Sequence, residues 1–425
     1  MKILKAGKHR LFEHDFETAK IVSEMLLDLE KNGIDAVRKY SSKFDDWTPK
    51  QFQMTKTEIE NAIAQVSPQA IRDTDYCQAN VRAFAQAQRA TLKDLELETR
   101  PGVILGHRHI PVGALGSYIP GGRYPMLGSA QMSIIPARVA GVKHIVACTP
   151  PVKGKGPYPA TINAIKKAGA DAIYVLGGVP ALALMAFGLE GSPAVDMVCG
   201  AGNRFVAEAK RQLFGRCGID LLAGPTEILI IADDRADPSL VACDLLGQAE
   251  HDPNSGGCLI CLSEDFGRRT IAEVDRQLQT LPTKDIASLS WRDHGIVYLA
   301  ENPAEAVLLS DDYAPEHLEL HVANRDYFVQ NLRNYGSLFI GEETTVAYGD
   351  KTIGTNHILP TSRSARYTGG LWVGKFLKTC TYQYMTPAAS VETAAVTDRQ
   401  CLLEGMQAHA ITAQVRMNRY GASKN

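Results

Sequence analysis

The chain has 425 residues, 45% hydrophobic and 22% charged, the composition of an ordinary globular protein long enough for two or more cores. Lys plus Arg is 45 against 47 for Asp plus Glu, and the resulting net charge of -2 excludes a general attraction to nucleic acid or to an anionic membrane, which leaves a small-molecule partner. The stretch MKILKAGKHRLFEHDF carries charge throughout and lacks the apolar core of a signal peptide, no apolar run reaches transmembrane length, and nine scattered cysteines point to reduced thiols and a cytoplasmic setting.

From about Asp15 to Phe44, apolar residues recur at three- and four-residue intervals, which predicts two amphipathic helices broken at Asn32-Gly33. From Gly113 onward short β-rich runs alternate with glycine and helix-like stretches: VGALGSYIP, AGVKHIVACTPP, AGADAIYVLGG, SPAVDMVCGAGN, GIDLLAGPTEILIIAD and NSGGCLICLS. This is the texture of successive βαβ units and parallel sheets. A second such pattern runs through GIVYLAENPAEAVLLSDDYAPEHLEL and YGSLFIGEE, so the fold class expected is α/β with two Rossmann-like lobes. LWVGKFLKTCTYQ then leads into a helical tail with no strand partner, suited to packing on something else. Cys258 and Cys261 form the one CxxC, inside an apolar strand-like run, and read as buried core rather than a metal or redox pair.

Ligands of open α/β sheets sit beyond the carboxyl ends of strands, where glycine-rich turns let backbone N–H groups approach a phosphate. Two turns qualify, Tyr118-Ile-Pro-Gly-Gly122 and Cys199-Gly-Ala-Gly-Asn203, although neither completes GxGxxG. Gln248 and His251 end the helix-like LVACDLLGQAEH, where i, i+3 spacing turns them to one face; His is a common zinc ligand and Gln an unusual oxygen donor, while an exposed polar helix end reads equally from the same residues. Asp350 and His357 lie in a loop dense in Gly, Thr, Asn and Pro and converge only through a fixed turn. Glu316-His317 offers two proton carriers at one point. Glu404 and His409, five apart on the tail, face different ways, and each reads alone as a surface residue.

Taken together, GQAEH, APEHLE, GD with NHILPT seven residues on, and EGMQAH resemble, in order and spacing, the signature of the histidinol dehydrogenase family over nearly the whole chain. The resemblance implies one zinc ion per active site, held by Gln248, His251, Asp350 and His409, the last reaching across from the partner subunit of an intertwined homodimer. It implies His317 as the general base and Glu316 as the group that helps activate water in an aldehyde-to-acid step. Thr226, His357 and Glu404 would line the substrate pocket with the metal ligands and His317, and Tyr118 and Asn203 would lie near NAD. The implied layout is an N-terminal segment 1–20, a discontinuous first α/β lobe 21–118 and 229–371, an NAD-binding second lobe 119–228, and a tail 372–425 contacting the partner subunit. The implied reaction is a four-electron oxidation of a primary alcohol to a carboxylate with two NAD.

Several positions depart from what histidine-biosynthetic members lead one to expect: Pro180 where Gln is expected, GAGN for GPGN, PMLGSAQMSIIPA after PGG, and Ser362-Arg363-Ser364-Ala-Arg366 after NHILPT. IPGGRYP, TNHILPTSRSARYTGG and LWVGKFLKTCTYQ resemble the sulfopropanediol dehydrogenase branch, which implies 2,3-dihydroxypropane-1-sulfonate as substrate and 3-sulfolactate as product. That diol and L-histidinol share the frame HOCH2–CHX–CH2–Y, with sulfonate replacing imidazole at Y. A fixed negative charge there needs a compensating cation, and Arg363 is the candidate, since its forked donors match sulfonate oxygens. Oxidation of L-histidinol to L-histidine is the alternative, and a zinc hydrolase using the same residues on water is a distant third.

Overall fold

The computed structural model describes residues 1–7, 15–121, 124–152 and 154–421; Gly122, the last residue of the first glycine-rich turn, and part of the charged N-terminal stretch lie outside them. The strands are β1 (Lys2–Lys5), β2 (Leu95–Arg100), β3 (Val103–Pro111), β4 (Ala114–Tyr118), β5 (His144–Thr149), β6 (Ala172–Val175), β7 (Met197–Cys199), β8 (Gly218–Ile219), β9 (Glu227–Ala232), β10 (Gly256–Cys261), β11 (Gly295–Leu299), β12 (His317–His321), β13 (Ser337–Ile340) and β14 (Leu377–Met385). They fall into two compact units, one of Met1–Gln88 with Val112–Phe376, the other of Arg89–Pro111 with Leu377–Asn425.

The first unit holds two parallel sheets, as the alternation of strand-like and helix-like runs predicts. One has five strands in the order β6-β5-β4-β7-β8 and the other six in the order β1-β11-β10-β9-β12-β13, with only β1 running antiparallel to its neighbour. A parallel sheet covered on both faces needs near-continuous apolar strands, and β9 supplies one. Its Ile228 and Ile230 pack under the helices Pro238–Ala249 and Glu264–Leu278, while Leu229 and Ile231 face the opposite layer, with Leu318, Leu320 and Phe328. Strand alternation thus assigns neighbouring residues of one run to different cores.

The N-terminal helix Phe16–Asp45 starts where the Asp15 carboxylate accepts the Thr18 amide and is interrupted at Gly33 (φ 57°, ψ -130°), the break the sequence places at Asn32-Gly33. Val22, Leu29 and Val37 from both halves join the core of the five-stranded sheet. Cys258 and Cys261 are buried in β10, burial raises both thiols above their ordinary range, and all nine cysteines are free. No described helix is long and apolar enough to cross a membrane.

The second unit is an antiparallel sheet in the order β14-β3-β2 with a pair of helices, Pro387–Leu403 and Gln407–Gly421. Residues 377–385, expected to lead straight into a helical tail, instead form β14 and pair with β3 from Leu377↔Pro111 to Met385↔Val103. Alternating Thr and Tyr residues favour a strand, but the partner that makes one stable lies far upstream in a stretch without a strong sequence signal. The helical part of the tail is two helices rather than one. The turn between them passes through Gly405 at φ 73°, so Glu404 closes one helix and His409 belongs to the next.

Candidate active site

The predicted catalytic pair sits at the amino ends of β9 and β12, not beyond carboxyl ends where open-sheet ligands are expected. The helix Pro238–Ala249 follows β9 and runs back along the sheet, and its last turn delivers Gln248 to that amino edge, where Glu316, His317 and Gln248 are all buried. Glu316 Oε2 accepts the Thr226 hydroxyl at 2.6 Å and the Glu227 amide at 3.0 Å. The Gln248 side-chain amide donates to the Thr226 hydroxyl and lies 3.4 Å from His317 Nδ1.

His317 Nδ1 lies 3.0 Å from the Glu227 carbonyl oxygen. A carbonyl can only accept, so this nitrogen carries hydrogen and Nε2 is the ring's proton-accepting atom. Nε2 is buried without a hydrogen-bond partner and lies 3.8 Å from Asp350 Oδ1. Burial disfavours a charged imidazole, yet the Glu316 carboxylate and Asp350 outweigh it and lift His317 to about 9. Burial pushes the Glu316 carboxyl up, against the opposing pull of His317 and its hydrogen-bond donors. Burial also works against ionised Asp350, but the His317 imidazole beside it and the nearby His357 and Lys351 hold its carboxyl well below the usual range.

His251 and His357 adjoin Asp350, and desolvation keeps both imidazoles below their ordinary value, His357 at about 4, so they present lone pairs at neutral pH. Ser129 Oγ lies 2.9 Å from His357 Nε2. A Cβ on neighbouring Gly128 would come within 2.6 Å of the Asp350 carbonyl oxygen and 3.1 Å of His357, which is why the approach of the helix Leu127–Ala140 requires glycine there. Asp350 thus lies beside the buried, unpartnered Nε2 of His317 and Gln248 beside its Nδ1, and together with His251 they offer ionised carboxylate, amide oxygen and neutral nitrogen groups of the kinds that suit zinc.

The remaining predicted residues belong to other elements. Glu404 and His409 are both exposed and belong to the second unit. Tyr118 ends β4 and Asn203 caps the helix Arg204–Leu213 after β7, both on the five-stranded sheet. The Tyr118 hydroxyl accepts the Gly178 amide at 3.2 Å and is pushed by burial to about 12, and Asn203 Oδ1 accepts the Phe205 and Val206 amides. The loop of Arg363 does border the cluster: Gly224 N–H donates to the Thr361 hydroxyl and Ser362 N–H to Glu227 Oε1. The Arg363 guanidinium pairs with Asp312 at 2.5 Å.

Sequence reasoning missed several charged neighbours. Glu227 adjoins Glu316, and burial together with that carboxylate raises it to about 8. Lys351 places its ammonium 3.9 Å from Asp350 Oδ2. Beneath the site, Asp244, Glu319 and His321 bring potential ligand atoms within 4.8 Å of one another. His321 Nε2 lies 3.3 Å from Glu319 and 3.9 Å from Asp244, while Asp244 accepts the Thr345 hydroxyl and Glu319 the Val346 amide. A signal existed: in HLELH the alternate residues His317, Glu319 and His321 share one strand face, and Asp244 precedes Gln248 by one helical turn.

The family profile described as Histidinol dehydrogenase matches residues 9–417. The chain is 53% identical to "Histidinol dehydrogenase homolog" of Shouchella clausii, across 98% of this chain and 99% of that one. It is 46% identical to "Sulfopropanediol 3-dehydrogenase" of Ruegeria pomeroyi, across 95% and 93%. Among solved structures, that of histidinol dehydrogenase from Elizabethkingia anophelis matches with a TM-score of 0.92 and 32% identity, covering 98% of this chain and 95% of that one.

Proposed function

The chain belongs to the histidinol dehydrogenase family and is an NAD-dependent dehydrogenase, and from that premise we propose that the cluster around His317 is its alcohol-oxidising centre. The observation that carries the proposal is the orientation of His317, whose Nδ1–H is tied to the Glu227 carbonyl while Nε2 is buried and unpartnered. Nε2 takes the hydroxyl proton as hydride leaves the carbinol carbon, a role for which imidazole is the natural base. Glu316, oriented by Thr226 and the Glu227 amide, holds and deprotonates the water that adds to the intermediate aldehyde. One alcohol and one water then give a carboxylate as two NAD are reduced.

Zinc would be held by Gln248, His251 and Asp350, with His409 of the partner subunit as the fourth ligand, and when bound it fixes and polarises the substrate oxygen while NAD accepts hydride. Once Asp350 is committed to a cation its pull on the His317 proton weakens, which suits His317 to act as base. His357 and Glu404 belong to the substrate pocket in this reading, with Tyr118 and Asn203 near NAD, in a cytoplasmic homodimer; the division between lobes expected at residue 118 falls instead before β4, since β4 and the N-terminal helix pack with the five-stranded sheet. Purified protein should carry zinc and form NADH from a primary alcohol. Loss of zinc without loss of NADH formation, or bond hydrolysis without any NADH, would refute the reading, the second outcome favouring a zinc hydrolase.

For the substrate, the SRSAR loop and the 46% identity to a protein named for sulfopropanediol support 2,3-dihydroxypropane-1-sulfonate, oxidised to 3-sulfolactate. L-histidinol is favoured by a separate observation: Arg363 is engaged by Asp312 and must exchange that carboxylate for a sulfonate to read it. Comparing kcat/KM for the two alcohols decides between them. With the sulfonate as substrate, Arg363→Ala raises its KM at least tenfold, on the order of one charge-assisted hydrogen bond; a silent Arg363→Ala with histidinol the better substrate reverses the assignment.

A further inference from the structure

Lys210 and Asp220 form an ion pair with both side chains buried beneath the five-stranded sheet's glycine-rich turn. Such a pair is weak support for stability, because desolvating two charges offsets much of their attraction, so its hydrogen bonds point to its purpose. Lys210 Nζ donates to the Gly200 carbonyl at 2.9 Å, and Asp220 Oδ2 accepts the Gly200 amide at 2.8 Å while Oδ1 accepts the Leu221 amide at 2.7 Å. Gly200 is thus gripped at both its N–H and its C=O. It also adopts φ +118°, and a Cβ there would run into the Tyr118 carbonyl oxygen at the end of the adjoining strand β4.

Three elements meet at this residue: the end of β7, the helix Arg204–Leu213 that carries Lys210, and the segment after β8 that carries Asp220. The turn runs from Gly200 to Asn203, and the Asn203 side chain caps the helix that follows. We infer that Lys210 and Asp220 are positioning residues for the dinucleotide: their ion pair clamps the Gly200–Asn203 turn in the shape that receives NAD before the cofactor arrives. The inference rests on the reading that this turn seats NAD. A turn fixed in advance spares the cofactor the ordering cost that a loose glycine loop would impose on binding, so the effect belongs to NAD and not to the alcohol.

The test compares full-length zinc-loaded Lys210→Met, the charge-neutral double variant Lys210→Met/Asp220→Asn, and Asn203→Ala, each checked for native circular dichroism and zinc content. Loosening the clamp is expected to raise the KM for NAD and the Kd for NADH about tenfold or more, the scale of a lost hydrogen bond to a charged group, with the KM for alcohol and kcat little changed. A folded double variant with wild-type NADH affinity, or with NAD and alcohol constants weakened in parallel, overturns the clamp. If Asn203→Ala is silent as well, the NAD seat itself is wrong; if it weakens NADH while the Lys210 variants do not, the clamp alone falls. Should neither Lys210 variant fold, amide exchange of the wild-type protein decides: the Gly200 amide must exchange as slowly as those of β7 without cofactor, and rapid exchange overturns a preformed turn.

Discussion

His317 Nδ1 and the Glu227 carbonyl oxygen stand 3.0 Å apart at the start of neighbouring strands β12 and β9. The backbone of one strand thereby fixes the tautomer of a side chain on the next, and Nε2 is left as the ring's only basic atom. His317→Ala removes the base while leaving Gln248, His251 and Asp350 in place. It should lower kcat by about two to four powers of ten with zinc content and the KM for alcohol close to wild type. Steady-state kinetics and metal analysis together check this; a kcat within a few-fold of wild type would mean that another group takes the proton.

Glu316 is expected to matter in the second half-reaction only. Gln at this position still offers an oxygen to the Thr226 hydroxyl and the Glu227 amide but cannot take a proton from water. Glu316→Gln should therefore release aldehyde, and the NADH formed per alcohol consumed should fall from two toward one. Product analysis after complete conversion reads this directly, and a variant that still gives two NADH and acid at the wild-type rate assigns water activation elsewhere.

Glu227 gives a pH dependence with a definite sign. Its carboxyl is raised from 4.5 to about 8 by burial and by Glu316, so folding takes up a proton between those values. The stability this contributes is fully present below the unfolded-state value and is lost as pH rises through about 8. Glu227→Gln keeps an acceptor for the Ser362 amide and cannot ionise, so its Tm relative to wild type should rise between about pH 5 and about pH 9. Thermal melts of both proteins across that range give the answer, and parallel curves would show that Glu227 does not hold its proton in the fold.

The candidate residues were legible only as a set: GQAEH alone reads equally as an exposed polar helix end and EH alone is a bare dipeptide, and it is their order and spacing with NHILPT and EGMQAH that singled them out. What was not legible is set by distance. The Ser362–Glu227 bond holds the Arg363 loop against Glu227, yet the Asp312 that engages Arg363 comes from the helix Pro303–Tyr313, and no spacing rule links the two. The location at amino ends of β9 and β12 was missed for a similar reason, since the direction in which a helix returns along a sheet decides which edge its last turn reaches. β14 needed a partner strand that could be recognised only once paired.

The polar knot beneath the site ties three elements that carry its residues: Asp244 on the helix of Gln248, Glu319 and His321 on the strand of His317, and Thr345 with Val346 at the start of the helix that bears Asp350. Glu319 is fully buried and accepts the Val346 amide. Glu319→Leu keeps apolar volume but leaves that amide and the His321 ring without their acceptor, a penalty of about 1–3 kcal/mol, so Tm should fall. Because Asp350 rides on the freed helix, zinc affinity should weaken too, seen as faster metal loss to a chelator, while Glu319→Gln, which still accepts from Val346, should recover most of both. A Glu319→Leu protein that melts lower yet holds zinc as tightly as wild type would reduce the knot to a packing feature, with no part in positioning the metal ligands.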